Sequence, residues 1–374
     1  MIGIIEKRNF REFDFLLLIL AISIVCFGIW QIYNAQPNEI YWQKQIIGLI
    51  IAVLIALVVS MIDYRTLIHF APAFYALGLI LLILVLTPLG VKVKGQQAWL
   101  KLPIVGQFQP SEFVKIPVVL MLAKYLGERK GVQPLTLKEM MVGVAILVAP
   151  VGLILLEPDA GQALTYIPLL ATVIFLSAIK IRWVVLSLIA VLILAPVSFY
   201  VGVKTGKIKQ YQIERINVIL DPENADPRGY GYHTFQSIIT VGQGGVTGIK
   251  GDAEKSQSAL KFLPEPHTDF IFAVTAENTG FLGCVSLLLA YALLLSRLIM
   301  GAKFSPDRAG MLVIMAFVGG MTFQIFINIG MTLGILPVIG VPLPLMSAGL
   351  SSILSTFIAI GFVLSVRMRR FVNY

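Results

Sequence analysis

Charge is scarce in this chain. Asp, Glu, Lys and Arg make up 13% of its 374 residues, where an ordinary globular protein carries about 25%, and that shortage excludes an ordinary soluble domain. Cysteine is scarcer still: Cys26 and Cys284 both fall inside apolar runs. They offer no disulfide framework and no metal-ligand spacing, and both are expected to serve packing. No GK[ST] follows the glycine cluster at residues 242–251, which excludes a P-loop, and no strand–helix unit surrounds it to make a dinucleotide site. Ten-residue alternation of apolar and polar positions is also missing, which excludes a membrane β-barrel.

What the chain has is apolar length. Hydrophobic residues reach 57% and the mean hydropathy is +0.87. A bilayer core of roughly 30 Å takes about 20 apolar residues per helical span. Ten runs supply them, near residues 13–33, 43–61, 67–88, 112–126, 138–156, 161–179, 183–203, 270–299, 309–335 and 351–366. The fold class is therefore an all-α polytopic membrane protein with ten transmembrane helices, a single domain over residues 1–374. The fourth run, EFVKIPVVLMLAKYL, is short and holds Lys115 and Lys124, which predicts a broken or partly inserted helix. The first run is too long, and its flanks too charged, for a cleaved signal peptide. No soluble domain is expected before or after the membrane part.

Short loops rich in Lys and Arg stay on the cytoplasmic side. With the N-terminus inside, the inner loops collect Lys7, Arg8, Arg11, Arg65, Arg129, Lys130, Lys138, Lys180, Arg182, Arg297, Lys303, Arg308, Arg367, Arg369 and Arg370, and the main exceptions are Lys44, Lys92, Lys94 and Lys101. Both termini are then cytoplasmic, and a long extracytoplasmic segment, about residues 204–267, joins helices 7 and 8. The net charge of +9 is this topological signal rather than a nucleic-acid footprint, so no nucleic-acid partner is expected.

Function should then sit in the outer segments. Residues 90–115 carry glycines and prolines that break regular elements, which reads as a structured loop with Trp99 at the interface. Its end, QPSEFVK, starts a helix at Pro110 and Ser111 and sets Glu112 and Lys115 three apart on one face. The pair either caps the helix and neutralises itself or faces a cavity, as charges entering a span usually do. In EPDAGQA, Glu157 and Asp159 flank Pro158 in a short turn, where Asp159 either caps the next helix or shapes a cavity. Phe235, Ile238 and Ile239 beside polar neighbours predict a short interfacial helix. The glycines after it imply backbone mobility or close approach to a ligand.

Five stretches in order, QPSEFVK, EPDAGQA, GYHTFQSIITVGQGG, FLPEPHTDFIFAVTAE and NIGMTLGILPVIGVPLPLMSAGLSS, resemble the SEDS family (shape, elongation, division, sporulation) of cell-wall polymerases. The likeness runs from about residue 12 to residue 370 and is closer to the family's elongation branch than to its division branch. It implies a peptidoglycan glycosyltransferase that polymerises lipid II, an undecaprenyl pyrophosphate-linked disaccharide peptide, at the outer face of the bacterial cytoplasmic membrane during cell elongation and rod-shape maintenance. It also implies a class B penicillin-binding protein as partner and a divalent metal ion, magnesium or manganese. The family's essential acid is the aspartate of HTDF, here Asp269.

Chemistry agrees with that placement. Glycosyl transfer needs a sugar hydroxyl deprotonated while a pyrophosphate leaves with its charge stabilised. Asp269 suits the base, and Lys115 with Lys101 suits the leaving charge. His267, beside Thr268, either orients substrate or satisfies the loop; equally, His267, Thr268 and Asp269 are residues that close a loop and cap the helix beginning at Phe270. The prolines and glycines between Gly334 and Pro344 interrupt a helix where only protein or a wet cavity tolerates unwound backbone. Asn328, Ser347, Ser351 and Ser352 would there offer neutral hydrogen-bond partners, or serve hinge and packing roles. The chain departs from the family's usual pattern at Ala98 before Trp99, at Asn278 after Glu277, and at Leu350 in SAGLSS. Two other classes share its broad features: a lipid-linked precursor flippase, and a non-catalytic scaffold in which Asp269 would be expendable.

Overall fold

The structure, a computed structural model, describes residues 12–93, 95–102, 106–129, 134–206, 213, 231–249 and 256–371. Lys7, Arg8, Arg11, Lys94, Lys130, Gly251 and most of the long outer segment lie outside the described residues. Among the described residues the first two helices are α1 (Phe15–Ala35) and α2 (Tyr41–Met61). The third apolar run divides into α3 (Tyr64–His69) and α4 (Ala71–Val85), because Pro72, without an N–H, suits the first turn of a new helix better than the interior of an old one. After the sheet described below come α5 (Pro110–Gly127), α6 (Leu137–Leu156), α7 (Ala160–Leu176), α8 (Ile181–Lys204) and the short α9 (Tyr232–Gln243). The last three helices are α10 (Ile271–Lys303), α11 (Arg308–Thr332) and α12 (Leu350–Met368).

By length and composition, seven of these, α1, α2, α6, α8, α10, α11 and α12, can cross a membrane. Two shorter apolar helices, α4 and α7, accompany them. α5 differs in carrying Glu112, Lys115 and Lys124, yet it runs unbroken through Pro117. The expectation of a broken helix is therefore corrected. Val114, Val118, Val119, Leu122 and Ala123 are buried among the neighbouring helices, so protein packs around this helix. Its charges are compatible with that setting.

Residues 90–108 correct the all-α expectation. β1 (Gly90–Val93), β2 (Gln96–Leu102) and β3 (Gly106–Phe108) form an antiparallel sheet in that order. The glycines read as breakers sit at strand edges: Gly95 (φ 85°) and Gly106 (φ 78°) adopt the left-handed backbone that glycine reaches without strain. Between them the QQAWLKL stretch pairs on both sides. Cys284 is buried as expected, but Cys26 is exposed on α1 and does not pack within this chain.

α10 bends where Gly280 takes φ 66°. The bend removes the intrahelical acceptors of Phe281 and Leu282, and their N–H groups donate instead to Gly245 O (2.9 Å) and Val246 O (3.1 Å). Ile249 N–H donates to Glu277 O at 2.9 Å. A methyl group would stand 1.9 Å from Ala276 O at Gly244 and 2.3 Å from Asn278 O at Gly248, so close approach of two backbone segments to each other, rather than to a ligand, accounts for these two glycines.

Candidate active site

The HTD triplet is held by its backbone. His267 O accepts from Ala348 N–H at 2.8 Å, Thr268 O from the Ser347 hydroxyl at 2.6 Å, and Asp269 O from the Asn328 side-chain amide at 2.9 Å. Three successive carbonyls are thus tied to the unwound segment between α11 and α12 or to α11 itself. The Ser347 hydroxyl also accepts Leu343 N–H (2.8 Å), and Gln45 spans Ser347 O (2.9 Å) and Gly349 N–H (3.2 Å). The His267 ring stacks on Tyr41 with centroids 4.0 Å apart. The capping role considered for the triplet is not what forms, because the N-cap of α10 is Phe270 and no side chain caps it. Asp269 is half-buried, and a methyl group on Gly340 (φ 72°) would stand 3.6 Å from its Oδ2.

A second polar wall begins at the start of α5. Lys115 Nζ donates to Glu112 Oε2 at 3.0 Å, with side-chain exposures of 12% and 4%. Glu112 also accepts from the Gln162 amide and from the Ser355 hydroxyl (3.5 Å). Asp159 caps α7 by accepting Gln162 N–H at 3.0 Å, and its other oxygen accepts Gln109 Nε2 at 3.2 Å. Gln109 N–H donates to the Ser351 hydroxyl at 3.0 Å. The Glu112–Lys115 pair is self-neutralised and also lines a cavity with Thr165, Gln324, Ser355 and Thr356, but the capping part of the first reading does not form, since no side chain caps the start of α5. The walls meet at Gly161, where an added methyl would lie 2.4 Å from Ile339 O, beside the Gly340 turn under Asp269.

The structure therefore brings Asp269, Thr268, His267 and Ser347 into one cluster, and Glu112, Lys115, Asp159 and Ser351 into another beside it. Lys101 joins neither by any contact among the described residues; it is exposed on β2 opposite Gln107. Sequence reasoning missed Gln45, Gln109 and Gln162. Their signal was available, as amides inside or next to apolar runs, but the partners are too distant along the chain to infer.

Glu157, read only as half of a turn, is fully buried, and neither carboxylate oxygen has a hydrogen-bond partner among the described residues. Burial, and then the charge of Asp159, push its carboxyl from 4.5 up to about 8. The folded protein thus keeps a proton that the unfolded chain releases near pH 4.5, so stability falls as pH rises from about 4.5 to about 8. Glu157→Gln is expected to flatten that slope. Melting temperatures in detergent at pH 5 and pH 8 check this: the gap between them should shrink in the variant, and an unchanged gap would refute it.

Apolar helices around a clamped, half-buried carboxylate and a buried lysine–glutamate pair define a polytopic membrane protein with a polar site among its helices. The chain belongs to the FTSW_RODA_SPOVE family of cell cycle proteins, whose profile matches residues 10–371. The peptidoglycan glycosyltransferase MrdB of Escherichia coli (strain K12) is 37% identical, over 98% of this chain and 97% of that protein. A chain from a peptidoglycan synthase complex, solved for the structural coordination of polymerization and crosslinking, superposes with a TM-score of 0.82 at 33% identity, covering 96% of this chain and 99% of that one. The crystal structure of the Thermus thermophilus rod shape determining protein RodA gives a TM-score of 0.71 at 28% identity, over 96% and 98%. The resemblance drawn from the five sequence stretches is borne out.

Proposed function

We propose that this protein is a peptidoglycan glycosyltransferase of the elongation type, polymerising lipid II into glycan strands with Asp269 as the general base. Relatives named as peptidoglycan glycosyltransferases at 30–37% identity over nearly the whole chain support the activity. The observation that carries the role of Asp269 is its clamped main chain beneath a half-buried carboxylate. The acceptor sugar hydroxyl attacks the donor's anomeric carbon, the bond from that carbon to the diphosphate oxygen breaks, and Asp269 takes the hydroxyl proton. Lys115 faces the leaving diphosphate and offsets its charge. Glu112 holds Lys115, and Asp159 and Ser351 hold the first turn of α5 through Gln109.

In this reading ten helices cross the bacterial cytoplasmic membrane, the seven long ones with α4, α5 and α7. Both termini are cytoplasmic and the site faces outward. The lipid substrate suits such a place, since its sugars need water and its prenyl chain hydrocarbon. No three His, Cys, Asp or Glu side chains converge among the described residues, so no all-protein metal cage is present there. Magnesium or manganese, which the family resemblance implies, would use fewer side chains together with the diphosphate itself, and the step above is written for this chain's own residues. The partner is a class B penicillin-binding protein, in keeping with the synthase complex that the fold matches.

Purified protein, alone and with class B enzymes of its source, should convert lipid II supplied on the outer side into glycan chains, read by gel. Such chains exclude pure transport. Movement of lipid II across vesicles without any polymer, under every pairing, would sink the proposal.

A further inference from the structure

Asn328 is fully buried in α11, a helix of mainly apolar residues. Its side-chain amide donates twice, to Asp269 O at 2.9 Å and to Val341 O at 2.8 Å. Both neighbours are carbonyls, which fixes the amide orientation: only the NH2 end can face them. The Oδ1 end pays for this, being buried with no hydrogen-bond partner among the described residues. A residue kept for packing alone would be apolar here, because an orphaned buried acceptor costs about 1–3 kcal/mol. Helix α11 is itself anchored near this point, as Thr332 donates to Asn328 O at 2.7 Å and Ser237 of α9 donates to Thr332 O at 2.8 Å.

We propose that Asn328 is a positioning residue for the reaction, joining the main chain of Asp269 to the turn at Val341 and so holding the Asp269 carboxylate over Gly340. Val341 follows Gly340, and a methyl group on Gly340 would come within 3.6 Å of Asp269 Oδ2. One amide therefore sets the distance between the base and the surface beneath it. Freed of that tie, Asp269 shifts at its own Cα, and its carboxylate moves with it. Misplacing a reacting group by about 1 Å costs on the order of 10²-fold in rate.

This inference rests on Asp269 being the general base, so three variants are compared in the full chain with its crosslinking partner. Asn328→Asp keeps the shape but turns a donor into an acceptor facing two carbonyls. Asn328→Leu fits the apolar helix and removes the orphaned oxygen along with the donor. Asp269→Asn tests the underlying reading. Initial polymerisation rates are measured against lipid II concentration and pH, with detergent melting as the folding check. Both Asn328 variants are expected to lose about 10- to 100-fold in kcat with KM within about twofold of the parent. The acid limb of their kcat–pH profile should also move, because it reports the base. The inference is overturned if a folded variant keeps its kcat, loses only in KM, or loses kcat with an unmoved acid limb. Failure of both variants to fold also overturns it, by assigning Asn328 to the fold. If Asp269→Asn stays active, the underlying reading fails instead; if it is dead while the Asn328 variants work normally, only this inference fails.

Discussion

Asp269→Asn is expected to reduce lipid II polymerisation by about 10²-fold or more, the usual scale for loss of a general base, while the protein inserts and melts almost as before. The contacts that seat this residue explain the separation. His267, Thr268 and Asp269 are held through their carbonyls by Ala348, Ser347 and Asn328, and asparagine keeps the same carbonyl. The carboxylate does not cap α10, so the cap is not lost with the charge. Glu277 supplies the contrast: fully buried, it accepts from the Ser256 hydroxyl (2.9 Å), the Gln257 N–H and the Ser258 hydroxyl. Its replacement should lower the melting temperature more than Asp269→Asn does. Glycan synthesis at close to the parent rate by Asp269→Asn would show that another group takes the proton.

Lys115→Ala should be nearly as damaging, for a different reason. Removing the ammonium withdraws the cation offered to the diphosphate, a loss of about 10²–10³-fold by analogy with removing a transition-state donor. It also leaves Glu112 buried without its ion partner, and breaking such a pair costs about 3–5 kcal/mol. The double variant Glu112→Gln with Lys115→Met separates the two effects, because it leaves no unpaired charge. It should melt near the parent temperature and remain inactive at limiting lipid II. Unchanged turnover in the single variant, or recovered turnover in the double one, would remove Lys115 from the chemistry.

Legibility differed by the range of the signal. The long helices could be read because 20 apolar residues in a row leave few alternatives, and the Glu112–Lys115 pair because a three-residue spacing fixes one helical face. Asp159 as a cap was equally local. The sheet at residues 90–108 is not legible in the sequence, because its strands are short and the glycines at their ends look the same as glycines that break a whole stretch. The clamp around Asp269 was legible only in part. Ser347 stood out as a polar residue in a broken helix, but Gln45 reaches it across 302 residues. No periodicity encodes such a contact. The charge of Lys101 suits a diphosphate, but the antiparallel ladder leaves it on the exposed side of β2.

The seat of Asp14 has a consequence for how the chain is made. This aspartate caps α1 by accepting Leu17 N–H at 3.1 Å, and its 1%-exposed side chain is held by Arg297 at 2.8 Å and by Arg367. The second arginine lies 353 residues further on. Translation at roughly 10 residues per second puts about half a minute between them. Throughout that interval the first helix is in the membrane with its N-terminal carboxylate still waiting for the last. Docking of α1 through both arginines thus completes only after Arg367 has been made, and a chain cut short between Arg297 and Arg367 would keep one of the two anchors.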